Sequence, residues 1–278
     1  MPQKARILIR CNDETGLVYR VSKVFFEHRL NIESNREFVD KISGKFFMRS
    51  VVEGDINPQK LEEDLTRVLP QNTFLKVIIP VKKKLVLLVT KESHALGDIL
   101  IRHEAGELQA EIQAVIANHD NLAGLVQRFH IPFHYLSAQN LSRSEHEEKV
   151  LQTLKNYRPD YLILAKYMRI LTENFVHRYS GKIINIHHSF LPAFAGANPY
   201  KQAYARGVKI IGATAHFVTR DLDEGPIIAQ DTIPVDHRFD WKEMQKAGRD
   251  VEKIVLARAL SLVLDDRVFI YNNKTIVF

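Results

Sequence analysis

Residues 84–90, KLVLLVT, hold five consecutive apolar side chains. A strand of that kind has no solvent face, so it belongs inside a sheet covered on both sides by helices. The chain beyond it alternates strand and helix in the same way. A helical stretch at 96–104 leads to EIQAVIANH (111–119), one at 121–130 leads to IPFHYL (131–136), and one at 144–156 leads to DYLILAKY (160–167). A short helix (172–178), the strand KIINI (182–186) and a helix at 199–206 come next. IGATAHFVT (211–219), GPIIAQDTIPV (225–235), a long helix (240–264) and two short strands end the series. Strand–helix alternation with right-handed crossovers predicts an α/β domain on a mostly parallel sheet.

The first 80 residues have a different order. RILIR (6–10) reads as a strand and LVYRVSKVFFEHR (17–29) as an amphipathic helix. NIESNREFV (31–39) and KFFMRSVVE (45–53) flank a turn at Gly44. PQKLEEDLTRVL (58–69) is a second helix, with Asn57 as cap and Pro58 at its first position. TFLKVIIP (73–80) closes a βαββαβ module of α+β type. The run Lys82–Lys84 is a solvated junction, which sets domains at 1–81 and 82–278.

Bulk properties exclude several classes. No apolar run nears the roughly 20 residues that span a bilayer, and residues 1–16 turn polar too soon for a signal peptide. The single cysteine, Cys11, favours a reducing cytoplasm and reads as a packing residue. The net charge of +6 comes from 39 basic and 33 acidic residues scattered along the chain, without the basic stripe and stacking aromatics that nucleic acid requires. It suits an anionic small substrate.

The chemistry concentrates at KIINIHHSFLPAFAGANPY (182–200), where a buried strand ends in polar residues at the carboxyl edge of the sheet. Ligands of open parallel sheets bind outside that edge. Side-chain alternation places Asn185 and His187 on one side and Ile186 and His188 on the other. Downstream, HFVTRDLDEGP (216–226) brings Asp221, Asp223 and Glu224 into a tight loop. An amide, an imidazole and a carboxylate make a proton-transfer set with an oxyanion donor. A triad at Ser189 would lack the G-x-S-x-G elbow, and a metal site from His187, His188 and His216 lacks the usual ligand spacing. Any one of these histidines alone reads equally well as a hydrogen-bonded structural residue.

The wider pattern resembles a known family. N-I-H-H-S-F-L-P, with G-A-T-A-H-F-V-T and D-L-D-E-G-P-I-I, is similar to the folate-dependent formyltransferases. HHSFLPAF, and C-N-D-E-T-G-L-V with Asn31-Ile32 in the front module, resemble the hydrolytic branch of that family, which carries an N-terminal ACT domain. The likeness runs the length of the chain and includes GRDVEKIVLARAL and NNKTIVF. It implies a ferredoxin-like ACT domain followed by a Rossmann-like formyltransferase domain. It further implies hydrolysis of 10-formyltetrahydrofolate by water to tetrahydrofolate and formate, balancing one-carbon folate pools and supplying formate for purine biosynthesis. Neither a cofactor nor a metal is implied, since folate is the substrate.

Matching positions make Asn185, His187 and Asp223 the catalytic three, with His216 in support. Asn185 and a protonated His187 would stabilise the oxyanion, and Asp223 would orient and deprotonate water and keep His187 charged. AKYMRIL (165–171) matches the folate-lining segment, so Met168, Ile170 and Leu171 are pocket walls or core, and Arg169 is placed to meet the folate tail. The loop TKESHALGDIL (90–100) has no glycine before Gly97 to let a phosphate approach, and Glu92 would oppose one, which disfavours transfer to a ribonucleotide amine. Transfer to methionyl-tRNA would call for a nucleic-acid-binding extension after the sheet domain. A folate or amino-acid sensor without catalysis is the remaining alternative. The ACT resemblance implies a homo-oligomer paired through ACT domains and an effector such as methionine or glycine at Asn12, Asp13, Gly16 and Asn31. A purely structural dimerisation module is the other reading of the same residues.

Overall fold

A computed structural model of the chain describes residues 2–194, 196 and 198–278. It divides into two compact units, one running to Val81 and grouped with Phe278, the other spanning Lys82–Val277.

In the first unit β1 (Gln3–Asn12), α1 (Leu17–Glu27), β2 (Asn31–Asp40), β3 (Lys45–Gly54), α2 (Pro58–Val68) and β4 (Phe74–Ile78) succeed one another. The sheet runs β2-β3-β1-β4 with every described pairing antiparallel. Ile7 and Ile9 of β1 alternate onto the face covered by Leu17, Val21, Val24 and Phe25 of α1 and by Leu61 and Leu65 of α2. Burying one such side chain stabilises by about 1.5–3 kcal/mol. Pro58 opens α2, and the Asn57 side chain accepts from the amide of Lys60 at 3.1 Å. Cys11 is buried here, and that burial pushes its thiol up to about 11.

The second unit contains β5 (Lys83–Val89), α3 (His94–Glu104), β6 (Ala110–Ala117), α4 (Ala123–Gln127), β7 (Phe133–Tyr135), α5 (Arg143–Leu154), β8 (Tyr161–Leu164), α6 (Glu173–Arg178) and β9 (Ile183–His187). Then come α7 (Pro199–Arg206), β10 (Ile210–Phe217), β11 (Ile227–Pro234), α8 (Trp241–Leu264), β12 (Val268–Tyr271) and β13 (Lys274–Val277). Seven strands form one sheet in the order β11-β10-β9-β8-β5-β6-β7. From β5 to β9 the described pairings are parallel, whereas β10 runs antiparallel to both β9 and β11. Alternate residues of β5 explain its continuous apolar sequence. Leu85, Leu87 and Val89 pack with α3 and α8, while Val86 and Leu88 pack with α5 and α6 on the other face. The chain leaves β5 toward β6 and β7 and returns on the opposite side at β8. The order therefore reverses beside β5, where the carboxyl ends of β5 and β8 open a crevice.

Several elements are shorter than the sequence suggests: α4 spans only Ala123–Gln127 within 121–130, and β7 only Phe133–Tyr135 within 131–136. DYLILAKY reads as a strand to 167, but β8 stops at Leu164 because Lys166 adopts the left-handed conformation, φ 63°. Residues 166–171 then leave the sheet as an irregular segment.

Candidate active site

Asn185 and His187 lie at the end of β9, and His216 faces Asn185 directly across the antiparallel pair with β10. A bulge at Ala215/His216 sharpens the exit from β10. The next loop folds back so that Asp223, itself at φ 59°, enters the same cluster. Its return is tight: a Cβ on Gly225 would stand 1.7 Å from the Phe217 carbonyl oxygen, so only glycine fits. Asp221 and Glu224, from the same acidic loop, stay exposed, and Asp221 pairs with Arg220.

The cluster is closely connected. His187 Nδ1 lies 3.2 Å from Asp223 Oδ1, and Asp223 Oδ2 accepts the Gly196 amide at 3.2 Å. His216 Nδ1 sits 2.9 Å from the Phe217 carbonyl, which can only accept, so that nitrogen carries the proton. Its Nε2 is then an acceptor, and Asn185 Nδ2 donates to it at 3.2 Å. Burial lowers the pKa of His216, which keeps it neutral and the tautomer fixed. Asp223 titrates below the usual carboxylate range: burial opposes its charge, but the bond from His187, that ring's charge and the Gly196 amide outweigh it. His187 Nε2 is buried and has no hydrogen-bond partner among the described residues. An unpaired buried nitrogen of that kind is costly unless a ligand meets it.

These residues border a cleft of about 230 Å³. Asn185, His187, His216 and Asp223 form one wall; Met168, Arg169, Ile170 and Leu171 form another. Met168 is 59% exposed and Ile170 48%, so neither is core, while Leu171 also packs against the α5/α6 side of the sheet. Ser189 donates to the Ala193 carbonyl at 2.8 Å and shapes the loop after β9. Among the described residues no three His, Cys, Asp or Glu side chains are arranged to hold a metal ion. No helix is long and apolar enough to cross a membrane.

The loop after β5 is tied down by side chains. Thr90 Oγ1 accepts the Met168 amide at 2.9 Å, and His94 Nε2 lies 2.8 Å from Glu252 Oε2. Sequence reasoning missed Glu252, Lys166 and Tyr200, which meet beside the cleft. A signal existed for Glu252: it falls on the apolar stripe of α8 between Val251 and Val255, where a carboxylate needs a buried partner.

The four front-domain residues do not gather into one site within a protomer. Asn12 pairs with Lys45 at one end of the sheet, whereas Asn31 pairs with Glu53 at the other. Eight residue steps along β3, from Lys45 to Glu53, separate them, about 26 Å at strand spacing. Asn12 Oδ1 accepts from Lys45 Nζ at 2.5 Å, the Asp13 amide donates to the Gly44 carbonyl, and Gly16 begins α1 at φ 86°.

A polar trio at the carboxyl edge of an α/β sheet, beside a cleft and preceded by a ferredoxin-like unit, defines a formyltransferase-type domain joined to an ACT domain. Residues 83–260 match the formyl transferase family and residues 5–70 the ACT domain family. The chain belongs to the formyltetrahydrofolate deformylases. The Haemophilus influenzae deformylase is 54% identical over 277 residues, covering 100% of both chains. That of Bacillus subtilis is 47% identical, covering 99% of this chain and 94% of its own. The crystal structure of a formyltetrahydrofolate deformylase from Pseudomonas syringae superposes with a TM-score of 0.95 at 38% identity, covering 99% and 94% of the two chains.

Proposed function

We infer that this chain hydrolyses 10-formyltetrahydrofolate to tetrahydrofolate and formate, which returns free folate to the one-carbon pool and supplies formate for purine synthesis. The observation that carries the reading is the convergence of Asn185, His187 and Asp223 on one cleft, with His187 Nε2 left unpartnered among the described residues.

Asn185 Nδ2, oriented by His216, donates to the oxyanion that develops as water attacks the formyl carbon. His187 Nε2, when protonated, is the second donor. Asp223 orients the water and takes its proton; N10 is protonated as the C–N bond breaks. Met168, Ile170 and Leu171 flank the pterin, and Arg169 meets the anionic tail. The residues need no metal or prosthetic group for these steps. The ACT unit pairs with a second copy, and the turn at Asn12, Asp13 and Gly16 receives a small amino acid such as methionine or glycine. Asn31 contributes to that site only from a partner protomer.

Incubating the protein with 10-formyltetrahydrofolate, without any amine acceptor, tests the activity directly. Stoichiometric formate and tetrahydrofolate are expected; folate that binds and remains formylated would remove the proposal. Equilibrium dialysis with labelled methionine and glycine tests the ACT site, and absence of binding by both would leave that unit structural.

A further inference from the structure

A second polar cluster lies directly behind the cleft and takes no part in the hydrolytic steps. Glu252, 1% exposed, is its hub. Its Oε2 lies 3.1 Å from Lys166 Nζ and 2.8 Å from His94 Nε2, and its Oε1 accepts the Tyr200 hydroxyl at 2.7 Å. These partners come from the segments after β8, β5 and β9, so Glu252 stands over the carboxyl ends of the central strands. Lys166 and His188 belong to the cleft wall. The His188 ring bridges the two groups, with centroids 5.2 Å from His187 and 5.7 Å from Tyr200.

The arrangement is costly in three ways. Two charges are buried, and such pairs are worth little to stability by themselves. Lys166 holds a left-handed conformation that glycine would adopt freely. Gly248 leaves room for the Tyr200 ring beneath the cluster, because a Cβ there would lie 2.0 Å from the Tyr200 hydroxyl oxygen and displace it from Glu252. Costs of this kind are retained where they serve a site. What the cluster occupies is the crevice at the reversal of strand order, where an open α/β sheet would otherwise admit a second ligand.

We propose that Lys166 and Glu252, braced by His94 and Tyr200, are the specificity device that confines the attacking group to water. They fill the space through which a bulkier nucleophile would reach the formyl carbon beside His187. The proposal rests on the inferred hydrolysis of 10-formyltetrahydrofolate. With water, a C–O bond forms, the C–N10 bond breaks and a proton goes to N10. With a hydroxylamine, its nitrogen bonds the formyl carbon, N10 leaves with the proton that nitrogen loses, and the products are tetrahydrofolate and N-hydroxyformamide, or N-benzyloxyformamide from the benzyl compound.

The test offers 10-formyltetrahydrofolate to the wild-type protein together with hydroxylamine or O-benzylhydroxylamine and measures formylated amine against formate. Relative to the same reagents without protein, the wild type should discriminate at least tenfold against the benzyl compound. The double variant Lys166→Gly/Glu252→Gln removes both charges together and should raise the benzyl product-to-formate ratio at least tenfold. An active variant with the wild-type ratio overturns the proposal. So does a wild type that formylates both amines as they react in solution, a result independent of whether the variant folds. A wild type that releases no formate would instead remove the proposed hydrolysis, which the acceptor-free reaction reads separately.

Discussion

Asn185 Nδ2 donates to His216 Nε2 across 3.2 Å, between residues paired directly in adjacent antiparallel strands. Because His216 spends its only proton on the Phe217 carbonyl, it fixes which end of the Asn185 amide is the donor. His216→Phe keeps the ring and removes that acceptor. We expect kcat to fall about tenfold, part of the 10²–10³ that one oxyanion donor supplies, with KM little changed. Equal losses in binding and turnover would show that His216 does not act through Asn185.

Asp223 has a separate role, bonded to His187 and to the Gly196 amide. Asp223→Asn preserves the shape and removes the base. Turnover should drop by about 10²–10⁴, the usual range for a general base, while tetrahydrofolate still binds. Calorimetric titration with tetrahydrofolate reads the second half; a parallel loss of affinity would make Asp223 a binding residue.

His188 gives a pH signature. Burial first, and then the Lys166 charge, lower its pKa from 6.5 to about 3. Between those values the unfolded chain takes a proton there and the folded chain does not, so stability falls as pH falls through this window. His188→Phe keeps a ring between His187 and Tyr200 but does not titrate. Its melting temperature should decline less than that of the wild type from pH 7 to pH 4, and parallel curves would contradict the assignment.

Gly225 controls where Asp223 sits. Gly225→Ala forces a methyl onto the Phe217 carbonyl oxygen, 1.7 Å away, and the loop must move. Overpacking of this severity should lower Tm by about 5 °C or more. The displaced carboxylate should also reduce kcat at temperatures where the variant is still folded. A variant with normal Tm and kcat would mean that the loop tolerates the shift.

Local sequence determined a large part of this protein. The apolar runs of β5, β6 and β9 define the interior of a sheet because each strand alternates its side chains between two covered faces. Asn185 and His187 were legible because spacing by two along a strand puts both on one side. Asp223 was legible as one of three acids, but only the fold shows that Asp221 and Glu224 remain in solvent. Tertiary structure alone decided the rest. The reversed direction of β10 brings His216 opposite Asn185, and strand register in the ACT unit separates Asn31 from Asn12. Lys166, Tyr200 and Glu252 are distant in sequence; Glu252 stands out on the apolar stripe of α8, but nothing local names Lys166 and Tyr200 as its partners. Their meeting depends on long-range packing, since a buried charge is tolerated only where distant segments supply its partners at once.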